Sequence, residues 1–113
     1  MEIISQFISI LMLLNVTVTS YRSVPEQTDT SPYTTSIGHH VHPYGCAVSQ
    51  DLFKRGIVSY GDIIYIPGFG FKVVNDTMNP RIKNHIDIWV ATKAEEKRIG
   101  VRHLTIFILR AKL

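Results

Sequence analysis

What most restricts the fold of this chain is a succession of short runs of β-branched, aromatic and aliphatic residues, each soon closed by a turn signal. Asn15 to Ser23 sets Val16, Val18 and Ser20 against Thr17, Thr19 and Tyr21 at period two, which reads as a strand with two unlike faces. Gly45 to Val48 and Ile63 to Ile66 are further short runs, the second closed by Pro67-Gly68. Phe69 reopens a run through Phe71, Val73 and Val74, and Ile88, Trp89 and Val90 follow Asp87. Arg102 to Leu109 ends the series with Leu104, Ile106 and Ile108 on one face. Only Ala91 to Ile99 carries a helix-forming composition, stopped by Gly100, although Ser49 or Asp51 could cap a brief turn through Leu52, Phe53 and Lys54. In 113 residues this predicts one mainly β domain: a small six-stranded barrel with one short helix, not a doubly wound sheet.

Before the barrel, Ile3 to Leu14 is an apolar run of the length of a signal-peptide core and shorter than a comfortable bilayer span. It predicts an N-terminal apolar helix. Residues 1–14 then read as a signal peptide or an uncleaved anchor, with residues 15–113 as the domain and the product exported to the cell envelope or beyond. Glu2 and the lack of Lys or Arg ahead of the run argue against a signal peptide, so an apolar start to a cytoplasmic chain stays open. Membrane association, if any, would come through residues 1–14.

The formal charge of +3 suits a polyanionic partner without specifying one. The cations are scattered between Arg22 and Lys112, not gathered in a stripe with aromatics, which argues against nucleic acid. Cys46 is the sole cysteine and is expected as a small buried residue, so neither an internal disulfide nor a cysteine-based metal cluster is available. Val24 to Pro43 reads as a long loop. Its His39, His40 and His42 lack a second cluster at zinc-ligand spacing, so no metal is expected.

Chemistry concentrates between Gly68 and Trp89, where Asp76 and Asp87 stand eleven residues apart at the ends of two apolar runs. The polar link from Thr77 to Asn84, with Arg81 and Lys83, reads as an exposed crossing loop. Two carboxylates on strands beside a basic loop form a candidate acid/base site. The competing reading gives Asp76 a loop-capping role and Asp87 a structural hydrogen bond. Of the aromatics Tyr60, Tyr65, Phe69, Phe71 and Trp89, most are expected to fill the core.

An ordered series of pieces then carries a resemblance: Thr28-Asp29-Thr30-Ser31-Pro32 with Thr35 and Gly38, Gly45-Cys46-Ala47-Val48-Ser49, Tyr60-Gly61-Asp62, Tyr65-Ile66-Pro67-Gly68-Phe69-Gly70, Asp76-Thr77-Met78-Asn79, Ile86-Asp87-Ile88-Trp89 and Ile99-Gly100-Val101-Arg102. In order and spacing it resembles the 3D (Asp-Asp-Asp) domain family. That family includes the catalytic barrel of membrane-bound lytic transglycosylase A and stationary-phase muralytic proteins.

The resemblance implies a double-psi β-barrel over roughly residues 17–109. It also implies cleavage of the bond between N-acetylmuramic acid and N-acetylglucosamine in peptidoglycan, by a hydrolase or a lytic transglycosylase. Asp87 matches the family's general acid/base and Asp76 the aspartate before Thr-x-Asn. Asp29 and Thr35 match positions bordering the groove. Ser49 stands where the name-giving first aspartate is expected, with Asp51 two residues later. Lys83 is a candidate for substrate carboxylates or acetamides. The implied partner is a peptidoglycan glycan strand met by a monomer, with no cofactor, because carboxyls alone supply the chemistry. The departure at Ser49 leaves a non-catalytic glycan-binding module, or a structural wall or phage component, as the alternative.

Overall fold

A computed structural model describes residues 8–22 and 44–111. Six strands, β1 (Ile8–Tyr21), β2 (Gly45–Val48), β3 (Ile63–Ile66), β4 (Gly70–Thr77), β5 (His85–Trp89) and β6 (Arg102–Ala111), close into a mixed barrel in the order β1-β5-β2-β4-β3-β6. Two short helices, α1 (Gln50–Lys54) and α2 (Lys93–Ile99), lie between β2 and β3 and between β5 and β6.

The pairing contains a symmetry. β1 runs parallel to β5 and antiparallel to β6; β4 runs parallel to β2 and antiparallel to β3; β2–β5 and β3–β6 are antiparallel. Exchanging β1 with β4, β2 with β5 and β3 with β6 maps every pair onto a pair of the same sense. The barrel is thus two interlocked halves of three strands, compatible with a double-psi barrel.

The interior is aliphatic. Val16 and Val18, Cys46 and Val48, Ile64 and Ile66, Val74, Ile86 and Ile88, and Ile106 and Ile108 are all buried and alternate with outward residues along their strands. Each such side chain contributes on the order of 1.5–3 kcal/mol of burial. Of the aromatics expected in the core, Phe69 is partly buried and packs against it, but Phe71 and Tyr60 are exposed, and Tyr65 stacks between Phe71 and Phe107 with ring centroids 4.9 and 6.1 Å away. Alternation places those rings outward, and a six-stranded interior takes branched aliphatics instead.

The apolar start also differs from expectation. From Ile8 the chain is strand, because residues 8–18 pair antiparallel with residues 102–111 of β6. A continuous apolar run has no period that separates helix from strand, and here the partner strand decides. Residues 1–7 lie outside the described residues. Among the described residues no helix is long and apolar enough to cross a membrane.

α2 begins two residues later than its composition suggested, at an N-cap: the Thr92 hydroxyl accepts from the Glu95 N–H at 3.2 Å and donates to the Glu95 carboxylate at 3.0 Å. Gly100, with φ of 57°, ends it as expected.

Candidate functional site

The site is built from the register of four neighbouring strands. Ala47 on β2 pairs with Asp87 on β5 on one side and with Asp76 on β4 on the other, and Asp87 in turn pairs with Thr19 on β1. Thr19, Asp87, Ala47 and Asp76 therefore stand at one level, on the face opposite the core. The two aspartates are two strand spacings apart, about 9–10 Å between backbones.

Asp76 reaches this level through a bulge. The β2–β4 register shifts between Cys46 and Ala47, leaving Asn75 as the extra residue of β4. Asn75 is buried and lies against Gly45, where a Cβ would meet its Nδ2 at 2.7 Å. In a regular register with no bulge, Asn75 would oppose Ala47 and Asp76 would fall one position later, on the interior face. Its carboxylate also accepts from the Thr77 N–H at 2.9 Å.

Asp87 is half-buried between inward-pointing Ile86 and Ile88, and burial pushes its carboxyl up to about 6. The Thr19 hydroxyl, donating to Oδ1 at 2.9 Å, opposes that shift, while Glu96 of α2 and Asp76 add to it as like charges. Glu96 is paired with Arg22 at 3.3 Å, which ties the end of β1 to α2. Tyr21, one outward position beyond Thr19, is buried, and its hydroxyl is driven up by burial and then by Asp76, Asp87 and Cys46. A neutral phenol thus stands near both carboxylates. His85, one outward position before Asp87, places Nε2 2.6 Å from Thr19 Oγ1.

No family model matches the chain, and no curated protein matches it.

The remaining candidates fall apart in space. Ser49 is fully buried, its Oγ accepting from the His85 N–H at 3.0 Å while its own N–H donates to the His85 carbonyl at 3.0 Å. It anchors the start of β5 beneath the site, and its hydroxyl does not face solvent. Asp51 accepts from the Asn84 N–H at 3.1 Å. Burial acts to raise its carboxyl, but hydrogen bonds from the Ser49 hydroxyl and from backbone, with Lys83 nearby, outweigh it and hold it low. Lys83 is exposed on the loop after β4, on the Asp51 side. Asp29 and Thr35, like His39, His40 and His42, lie outside the described residues. Cys46 is buried with its thiol pushed up to about 12 by burial, so it packs as a small apolar group. Among the described residues no cluster of three or more His, Cys, Asp or Glu could hold a metal.

Two grooves lie on the described residues, and neither of them is lined by Asp76 or Asp87. One of about 290 Å³ lies between the β3–β4 turn and α2, lined by Phe69, Lys72, Trp89, Glu95 and Arg98 among others. The other, of about 270 Å³, is lined by Asn15, Thr17, Asn84, His103 and Thr105 around Leu104. Trp89 therefore lines a groove and is only partly buried, instead of filling the core.

Reading the sequence alone missed Thr19, Tyr21 and His85. The first two lie on the polar side of the period-two strand, which was visible. That this side faces Asp87 depends on a parallel pairing across more than sixty residues, which was not.

Proposed function

We propose that this chain is a glycan-cleaving enzyme of the cell wall, a lytic transglycosylase or glycosidase of the 3D domain type built on a double-psi barrel, with Asp87 as its general acid/base. The observation that carries the reading is the Asp87 carboxyl, pushed to about 6 on one level with Asp76. A carboxyl of that kind is protonated in mild acid and can protonate a glycosidic oxygen. It can then serve as base toward water or the muramic acid 6-hydroxyl. Asp76, across Ala47, is the second carboxyl of the pair and would stabilise the oxocarbenium-like transition state.

Two further features support a polymeric glycan substrate. Trp89 and Asn84, which line the two grooves, are two and three residues from Asp87 along the chain. The first groove sets Trp89 beside Lys72 and Arg98, and the second is lined by Asn15, Thr17, Asn84 and Thr105, polar side chains of the kind that meet acetamido sugars. The interlocked three-strand halves support the double-psi assignment.

The non-catalytic reading draws on one observation: at Ser49, where the family carries its first aspartate, a buried hydroxyl serves the backbone of β5. Mass spectrometry of soluble products from purified peptidoglycan, wild type beside Asp87→Asn, separates the readings. The enzyme releases anhydromuramic ends if it is a lytic transglycosylase or reducing ends if it is a hydrolase. The variant loses at least ~10²-fold in rate. A wild type that binds the wall yet releases nothing would overturn the enzymatic reading.

A further inference from the structure

His85, Thr19 and Asp87 form a continuous line of polar atoms: His85 Nε2 is 2.6 Å from Thr19 Oγ1, and that oxygen donates to Asp87 Oδ1 at 2.9 Å. A hydroxyl carries one hydrogen. When Asp87 is ionised and takes that hydrogen, Oγ1 can only accept from His85, so the ring must hold a proton on Nε2. When Asp87 is protonated and donates to Oγ1, the hydroxyl hydrogen turns toward Nε2, which must then be bare. The same heavy-atom positions serve both states.

We propose that His85 and Thr19 are a proton inlet for Asp87. The imidazolium gives its Nε2 proton to Thr19 Oγ1 as Thr19 gives its own hydrogen to the Asp87 carboxylate. One N–H bond and one O–H bond break, an O–H bond re-forms on Thr19, and an O–H bond forms on Asp87. An ion pair becomes a neutral pair and no further reactant is needed. His85 and Thr19 are positioning residues in this scheme, since neither needs to touch substrate.

The surroundings fit such an exchange. Parallel pairing sets His85 against Thr17 and Asp87 against Thr19, so the Thr19 hydroxyl reaches two successive outward side chains of β5, His85 and Asp87. Ser49 holds the His85 backbone from both its N–H and its carbonyl. Asp76 from β4 and Glu96 from α2 face Asp87 as negative charges that favour proton uptake, Tyr21 from β1 faces it as a neutral phenol, and Cys46 from β2 is a neutral thiol. Arg22 faces Glu96. Burial holds the His85 imidazole below its ordinary range and pushes the Asp87 carboxyl above its own.

The use of the inlet rests on Asp87 acting as the acid, but the exchange itself can be read without substrate. Imidazole ¹⁵N NMR of His85 in the full chain, followed through mildly acid to mildly alkaline pH, reports the tautomer. Wild type should hold Nε2–H on the alkaline side and gain Nδ1–H as Asp87 takes a proton. Thr19→Ser should keep the switch. Thr19→Val should lose it, with His85 titrating as an isolated ring. Should Thr19→Val fail to give a folded amide spectrum, Asp87→Asn takes its place and must also abolish the switch. A ring that stays Nε2–H throughout, or that switches equally in these variants, would overturn the inlet. If the switch is present but Asp87→Asn still releases glycan products, the inlet stands and the assignment of Asp87 as acid fails.

Discussion

Asp76 and Asp87 face each other across a single alanine: each is the register partner of Ala47, one through parallel and one through antiparallel pairing. Because Ala47 is small, nothing from β2 stands between the two carboxyls. Asp76 therefore adds, after burial and Glu96, to the upward push on the Asp87 carboxyl.

Replacing Asp87 should stabilise the protein, and only above mild acid. Its carboxyl titrates at about 6 when folded against about 3.9 in an unfolded chain. Between those values the folded chain binds more protons than the unfolded one, so stability falls as pH rises through that window, by on the order of 2–3 kcal/mol in all. Urea unfolding of Asp87→Asn should therefore show a gain over wild type near pH 8 that vanishes near pH 4. A loss of equal size at both would contradict this.

Removing the like charge at Asp76 should lower the Asp87 carboxyl. For a reaction that needs Asp87 protonated, kcat/KM falls as pH rises through about 6. In Asp76→Asn that descending limb should move to lower pH, with a reduced plateau. A limb that stays in place would mean that the two carboxyls do not interact.

Gly45 has no room for a side chain. A Cβ there would lie 2.7 Å from Asn75 Nδ2, so Gly45→Ala should cost about 1–3 kcal/mol. It should also disturb the bulge that aims Asp76, so thermal unfolding and the activity pH profile should change together. The double change with Asn75→Gly should recover part of the stability.

Asn84 occupies the left-handed region, with φ of 49°, while its side-chain amide donates to the Asn15 carbonyl at 2.8 Å. Asn84→Gly keeps the backbone and loses the bond, at about 1 kcal/mol. Asn84→Ala adds the left-handed penalty of roughly 1–2 kcal/mol. Chemical denaturation should rank them Asn, Gly, Ala.

These residues also mark where the sequence could be read and where it could not. The runs Gly45–Val48 and Ile63–Ile66 became strands with those bounds, and the loop between Asp76 and Asp87 lies where its Asn-Pro and cations put it, because alternation and turn chemistry are local. The bulge at Asn75 leaves no local mark. Its only trace is a glycine thirty residues earlier that must be bare. Ile8 to Leu14 is a strand because of β6, nearly a hundred residues away, and the burial of Ser49 follows from its bonds to His85. Asp87 was legible as a carboxyl between apolar neighbours. The burial that raises its proton affinity, and Thr19, Glu96 and Asp76 that adjust it, come about only when the barrel closes.

The most direct test of the account is an NMR titration of the Asp87 side-chain carboxyl carbon in the full chain. The midpoint should lie near 6, moving up in Thr19→Val as the donor is lost and down in Asp76→Asn as the like charge is lost. A midpoint near 4, the ordinary carboxylate range, would leave Asp87 ionised with no proton to give, and would contradict its role as the acid.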